Sequence, residues 1–303
     1  MPYVENHSPI TGIEGSAFVR NISVKKIVDA YKRININVAN YFKENTEIEI
    51  RTCSQTGYAY YYPSDIFGDG AFYEDIHSLN KNYYPEQKEE YQLAINYINA
   101  GDSVLEVGCA TGCFMHLVKN KGANCTGIEL NNDAVALAKQ KGFNVSNELL
   151  REHSFKNTGK YDVVCSFQVL EHIADVKDYF ESAKRCLKPG GKIIIGVPNS
   201  NPFIYRHDIY HTLNLPPHHA GLWNKSSMEK TGLHFNLQKI TIKVEKLKDY
   251  KEWYLAQARH YKEQKNIIGA LMFLVPRPVY KFLVRCFSPW IEGRNMLAVF
   301  KMG

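Results

Sequence analysis

Val104-Leu105-Glu106-Val107-Gly108-Cys109-Ala110-Thr111-Gly112 reads as a buried strand that runs through a glycine turn into a helix around Phe114 to Asn120. Glycines at such a turn let backbone N–H groups approach a bound molecule closely. A dinucleotide fold carries G-x-G-x-x-G here. This chain has E-x-G-x-x-x-G instead, with Glu106 two residues before Gly108. A carboxylate at that point repels a pyrophosphate and suits a cofactor that brings an ammonium or sulfonium group. Alone, the segment is also compatible with a plain tight turn, so the flanking pattern decides.

That pattern alternates strand and helix from Glu86 to about Lys248, which points to an α/β, doubly wound parallel sheet with helices on both faces. Helices are expected over Glu86 to Ala100, Asn131 to Lys141 and Asp175 to Leu187, the second with Asn131 or Asn132 as N-cap and Gly142 as C-cap. Strands are expected at Asn124 to Ile128, around Val145, at Tyr161 to Ser166 and at Lys192 to Val197, after a turn at Lys188-Pro189-Gly190-Gly191. The unbroken Ile193-Ile194-Ile195 suits a strand buried on both faces. Leu237 to Leu247 and Asn295 to Lys301 are expected to close the sheet as an antiparallel pair.

Glu129, 23 residues after Glu106, ends the second of these strands, where a carboxylate can accept both ribose hydroxyls of an adenosine. With Phe167-Gln168-Val169-Leu170-Glu171-His172-Ile173 and Leu187-Lys188-Pro189-Gly190-Gly191, the chain resembles the class I S-adenosylmethionine-dependent methyltransferases over residues 86 to 247 and the final strand. The resemblance implies a Rossmann-like seven-stranded sheet with a reversed last strand and S-adenosyl-L-methionine as cofactor. It implies that Glu106 orients the loop and holds the cofactor's amino group, directly or through water, while Gly108 and Gly112 make room. Cys109 and Ala110 would lie along the methionine moiety, Glu129 on the ribose, Leu130 against adenine, and Phe167 and Gln168 on the reactive side. Tyr84 would line the pocket from a lid. Ala110 departs from the glycine the family often has there, and no acid after the short third strand is identified for the adenine amine.

Asn214-Leu215-Pro216-Pro217-His218-His219-Ala220-Gly221-Leu222-Trp223 resembles the P-P-H-H-x-x-x-W segment of bacterial methyltransferases of surface-polysaccharide and deoxysugar pathways. A hydroxyl acceptor needs a base, and a neutral imidazole suits that task near pH 7. His218 or His219 is the expected catalytic base, with bracing of the loop as the competing role. Glu171 and His172 join one of these imidazoles in an arrangement like that of the metal-dependent small-RNA methyltransferases, but Gln168 stands where the first acid would be. No metal is therefore expected. The acceptor read from this segment is a sugar or glycan precursor. The alternatives are a quinone or lipid-linked acceptor, or a non-catalytic binder of the cofactor. A concentrated basic patch or an Asn/Asp-Pro-Pro-Tyr/Phe loop is missing, which argues against nucleic acid.

The ends have other textures. Residues 1–85 read as an irregular module and lid with one helical stretch around Val24 to Phe42. Ser8-Pro9-Ile10-Thr11-Gly12 and Cys53-Ser54-Gln55-Thr56-Gly57 share the frame of a zinc knuckle in which only Cys53 of the four ligands remains, and read equally as two similar short turns. Residues 86–303 form the expected cofactor-binding domain, with a helical insertion over about 249–294. In it Val279, Phe282, Leu283, Cys286 and Phe287 share a helix face, suited to the core, to a second subunit in a homodimer, or to peripheral membrane contact through 267–287. The chain has 303 residues, a net charge of +6 and seven scattered cysteines. The longest apolar stretch, Ile267 to Val275, is far short of the ~20 residues that span a bilayer. A cytoplasmic, reduced setting is expected, peripheral at the inner face of the membrane if that helix face touches lipid.

Overall fold

The computed structural model describes residues 6–68, 72–73, 88–248, 250–264 and 267–303. The amino-terminal part, expected to be irregular, carries strands β1 (Ser16–Ser23), β2 (Glu47–Cys53) and β3 (Ala59–Tyr62), with helix α1 (Val24–Lys32) after β1. They pair antiparallel, and a two-residue strand β9 (Gly221–Leu222) from far along the chain completes a four-stranded sheet. The expected helix to Phe42 stops at Lys32 because Asn35 takes φ +61°, which a right-handed helix cannot continue. Only a 3₁₀ turn, Ala39–Phe42, follows.

The two knuckle-like turns have one geometry. Gly12 N–H donates to Ser8 O at 2.8 Å and Gly57 N–H to Cys53 O at 2.7 Å, with both glycines at φ near +70°. Hydroxyls cap the backbone here: Ser8 Oγ accepts from Ile10 N, and Thr56 Oγ1 from Tyr58 N.

The main sheet has seven strands in the order β10-β11-β8-β7-β4-β5-β6. These are β4 (Ser103–Val107), β5 (Asn124–Ile128), β6 (Asn144–Ser146), β7 (Tyr161–Phe167), β8 (Leu187–Pro198), β10 (Leu237–Lys246) and β11 (Glu292–Met302). All adjacent pairs are parallel except those of β11, which runs against both β8 and β10. This is the Rossmann-like, doubly wound arrangement with a reversed last strand. The helices are α2 (Glu89–Ala94), α3 (Cys113–Asn120), α4 (Asn132–Gln140), α5 (Leu150–Lys156), α6 (Val176–Cys186), α7 (Phe203–His207) and α8 (Lys225–His234). The insertion between β10 and β11 adds α9 (Tyr250–Glu263), α10 (Ile267–Leu274) and α11 (Arg277–Phe287).

Side-chain alternation along β8 fills both faces of the sheet. Ile193 and Ile195 join Leu105, Val164 and Phe180 on one side, while Ile194 joins Val104, Cys165 and Phe114 on the other. Asn131 caps α4 by accepting from Asp133 N and Ala134 N; such a cap contributes about 1 kcal/mol. Two elements differ from expectation. The helix toward Ala100 gives way after Ala94 to a 3₁₀ turn, Ile95–Tyr97. The Lys188-Pro189-Gly190-Gly191 turn lies inside β8 as a bulge, with Gly190 at φ +74° and the register jumping from Tyr161↔Leu187 to Val163↔Lys192.

The apolar face of α11 does not pack on the core. Val279, Phe282, Leu283 and Phe287 are exposed, and Val284 is the buried residue of that helix. Among the described residues, no helix is long and apolar enough to cross a membrane.

Candidate active site

The carboxyl ends of β4, β5 and β7 open into a cavity of about 1580 Å³, at the place where strand order reverses and ligands bind in open α/β sheets. Gly108 turns the chain at φ +69°, and a Cβ there would collide with Val169. Gly112, at φ +84°, packs against Phe143 behind the turn and does not line the cavity. Ala110 takes φ +46°. That is a conformation glycine adopts freely, which explains why glycine is common there.

Glu129 holds this turn from the second strand. Its Oε2 accepts Ala110 N–H at 2.9 Å, and its Oε1 accepts the N–H groups of Leu130 and Asn131 at 2.8 and 2.9 Å. A carboxylate offers about four lone-pair positions, so one remains for a hydroxyl of a bound ribose. Cys109, Ala110, Glu129, Leu130, Phe167 and Gln168 all line the cavity. Glu106 does not: it lies beneath the turn, fully buried, with burial pushing its carboxyl well above the usual range. Its Oε2 has no hydrogen-bond partner among the described residues. That orphaned acceptor is of the kind a water or an ammonium group satisfies. Tyr84 lies outside the described residues. Taken together, the open turn, the Glu129 carboxylate and the unpaired Glu106 oxygen fit a phosphate-free adenosyl cofactor carrying an amino group.

Two acids escaped the sequence reading. Glu148, two residues beyond β6, lines the cavity; burial opposes its charge, but His153 Nδ1 at 2.8 Å and Lys156 Nζ at 3.0 Å hold its carboxyl below the ordinary value. Glu90 on α2 lines the opposite wall and accepts the Gln168 side-chain amide at 2.7 Å. Burial raises it to about 7.

On another wall of the cavity stand three imidazoles. His172, His218 and His219 bring ring nitrogens within 4.8 Å of one another, the arrangement a cation-binding trio would need. All three line the cavity. Burial lowers His172 to about 4 and holds His218 and His219 well below 6.5, so all are neutral at pH 7. Glu171 beneath them is raised to about 8 by burial. His172 Nδ1 lies 2.6 Å from His218 O, which can only accept, so that nitrogen carries the proton.

The amino-terminal module grips this loop. Tyr73 O–H donates to His218 O at 3.0 Å, Tyr31 O–H to Leu215 O at 3.0 Å and Tyr61 O–H to Asn214 O at 2.5 Å. Trp223 is fully buried with the tilted ring of Tyr58 4.1 Å away, so it braces the loop and does not face the cavity. Tyr205 does line it; His211 pairs with Glu252 at 3.2 Å, and His207 lies tilted against Phe203.

Comparisons with known proteins agree with this geometry. Residues 79–261 match a family model described as a methyltransferase domain. Ubiquinone biosynthesis O-methyltransferases from Shigella boydii and Escherichia coli are 28% identical over 170 residues, covering 48% of this chain and 70% of theirs. Among solved structures, a SAM-dependent methyltransferase from Archaeoglobus fulgidus shares the fold with a TM-score of 0.53 at 16% identity, covering 76% of this chain and 99% of that one. A Pyrococcus horikoshii protein aligns with a TM-score of 0.50 at 15% identity, over 76% of this chain and 99% of its own.

Proposed function

Because the chain belongs to the methyltransferase domain family, whose class I members use S-adenosylmethionine, we propose that it methylates a hydroxyl of a small molecule, with His218 or His219 taking the proton. The observation that carries this reading is the meeting of three neutral imidazoles with the Gly108–Thr111 turn on one cavity. S-adenosylmethionine supplies a methyl group on a sulfonium leaving group. The chain's own work is then to align the acceptor and to accept a proton. Glu129 fixes the turn, while Phe167, packed on Tyr91 and Phe114, keeps water from the reactive side.

An imidazole held well below its ordinary pKa is a weak base. It takes the proton of an acidic, aromatic hydroxyl far more readily than that of an alkyl alcohol. That chemistry, together with relatives named for ubiquinone biosynthesis, favours a phenolic quinone-type precursor. A sugar or glycan precursor is the second reading; the Pro216-Pro217-His218-His219 segment favours it.

The test is methyl transfer from labelled S-adenosylmethionine to a catechol-type phenol and to a nucleotide sugar, with products partitioned between butanol and water. Label on the phenol supports the first reading, and label on the sugar alone replaces it with the second. Loss of label with chelator, restored by a divalent ion, would assign the three imidazoles to a cation. Tight cofactor binding without any label would make the chain a non-catalytic binder.

A further inference from the structure

Between β10 and β11 several large apolar side chains face solvent. Ile267 is 74% exposed, Leu274 77%, Phe282 65% and Trp290 79%. On α11, Val279, Phe282, Leu283 and Phe287 recur every three or four residues and so share one face. The helix tucks in only Val284 and, against Tyr254, Tyr280. An amphipathic helix of a globular domain ordinarily buries its apolar stripe; this one presents it to solvent.

The charge of the segment is one-sided. From Gln264 to Ile291 the sequence has no Asp or Glu, and its charged residues are Lys265, Arg277, Lys281 and Arg285. At 100° per residue, Arg277, Lys281 and Arg285 fall on the side of α11 away from the apolar stripe. Long cationic side chains there can reach around toward a charged plane while their stems stay apolar. Trp290, with its polar ring N–H, sits just beyond the helix.

We propose that this face docks on a bilayer surface containing anionic lipid, with α11 lying in the interface and Phe282, Leu283, Phe287 and Trp290 at the acyl boundary. A second copy of the chain fits poorly. A two-fold contact through this face sets a like-charged surface against itself, and the segment has no acid to pair it. The anchoring is peripheral, since no described helix spans a membrane. The insertion also stands beside the cavity. Glu252 of α9 pairs with both His211 and Arg294, and Arg294 lines the cavity. Docking there brings the cavity mouth toward lipid, whichever acceptor it takes.

The full chain would be sedimented with phosphatidylcholine vesicles, with and without roughly one third phosphatidylglycerol. The expected result is binding to the anionic vesicles at low salt that falls as salt rises. Phe282→Ser with Phe287→Ser, and separately Lys281→Glu with Arg285→Glu, should each lower binding by about tenfold or more. All of these positions are exposed, so both variants should keep wild-type cofactor affinity. Because no methyl transfer is read, the outcome is independent of the acceptor. Failure of the wild type to bind anionic vesicles, or binding unchanged in both variants, overturns the proposal. So does a dimer, seen by light scattering, that dissociates in the Phe282→Ser and Phe287→Ser variant.

Discussion

Gln168 donates its side-chain amide to Glu90 Oε1 across 2.7 Å while its own backbone sits at φ +60° and its N–H reaches Gly196 O at 2.7 Å. The pair links α2 to the loop after β7 and closes one wall of the cavity. A Cβ at Gly196 would come within 3.2 Å of the same Glu90 oxygen, so the strand must be bare at that point.

This buried acid makes stability depend on pH. Burial raises Glu90 to about 7 from 4.5, so between those values the native state keeps a proton that the unfolded chain has lost. Its contribution is therefore full below pH 4.5 and is lost as pH rises through 7. Glu90→Gln keeps an acceptor for Gln168 and removes the titration. Thermal unfolding should show the variant more stable than wild type at pH 8, by about 1–3 kcal/mol, with the advantage shrinking toward pH 5. An advantage that is equal at both pH values would show that Glu90 does not titrate in this range.

Glu129 is predicted to control cofactor affinity through the turn it organises. Its carboxylate accepts three backbone N–H groups, one of them from Ala110 in its left-handed conformation. Glu129→Ala releases the turn. Calorimetric titration with S-adenosylmethionine should give a Kd raised by about tenfold to a hundredfold. Glu129→Gln should lie between, because one oxygen remains to accept.

The sequence showed the main sheet because strand and helix periodicities there are strong and local. Asn131 as a cap and Ile193 to Ile195 as a buried strand follow from short-range pattern. What escaped was long-range. Strand β9 has two residues and exists only because β3 pairs with it, so no local signal announced it. The alternation in Glu47-Ile48-Glu49-Ile50 was a readable signal for β2. Glu148 was hidden because β6 is only three residues long and its end could not be fixed. Trp223 is covered by Tyr58 from a strand turn more than 160 residues earlier in the chain, a contact that no local pattern announces.

The tyrosines of the amino-terminal module should act as positioning residues. Tyr73 O–H and Tyr31 O–H hold the carbonyls of His218 and Leu215, each at 3.0 Å. Tyr73→Phe deletes one such bond at the base-bearing loop without emptying the packing space. Steady-state kinetics should show kcat lowered by about threefold to tenfold, with the Kd for S-adenosylmethionine unchanged. A change in cofactor Kd equal to the change in kcat would mean that the loop does not act on the acceptor side alone.

The strongest test of the base falls on His218 and His219. Both are buried beside His172, and burial keeps them deprotonated well below 6.5. A base that is already neutral cannot gain from further alkalinity. Protonation of the imidazoles should therefore lower the wild-type kcat only on the acid side, below about pH 6, while any change between pH 6 and 8 belongs to Glu90 and Glu171, which titrate there. Both alanine variants should bind S-adenosylmethionine as the wild type does, because neither imidazole is among the groups that hold the Gly108–Thr111 turn. At least one should lose about 10²- to 10⁴-fold in kcat. The variant that loses more identifies the base, and its residual rate should rise with pH as hydroxide or the ionised acceptor takes over. Equal loss of cofactor binding in both variants would instead assign the pair to bracing the loop.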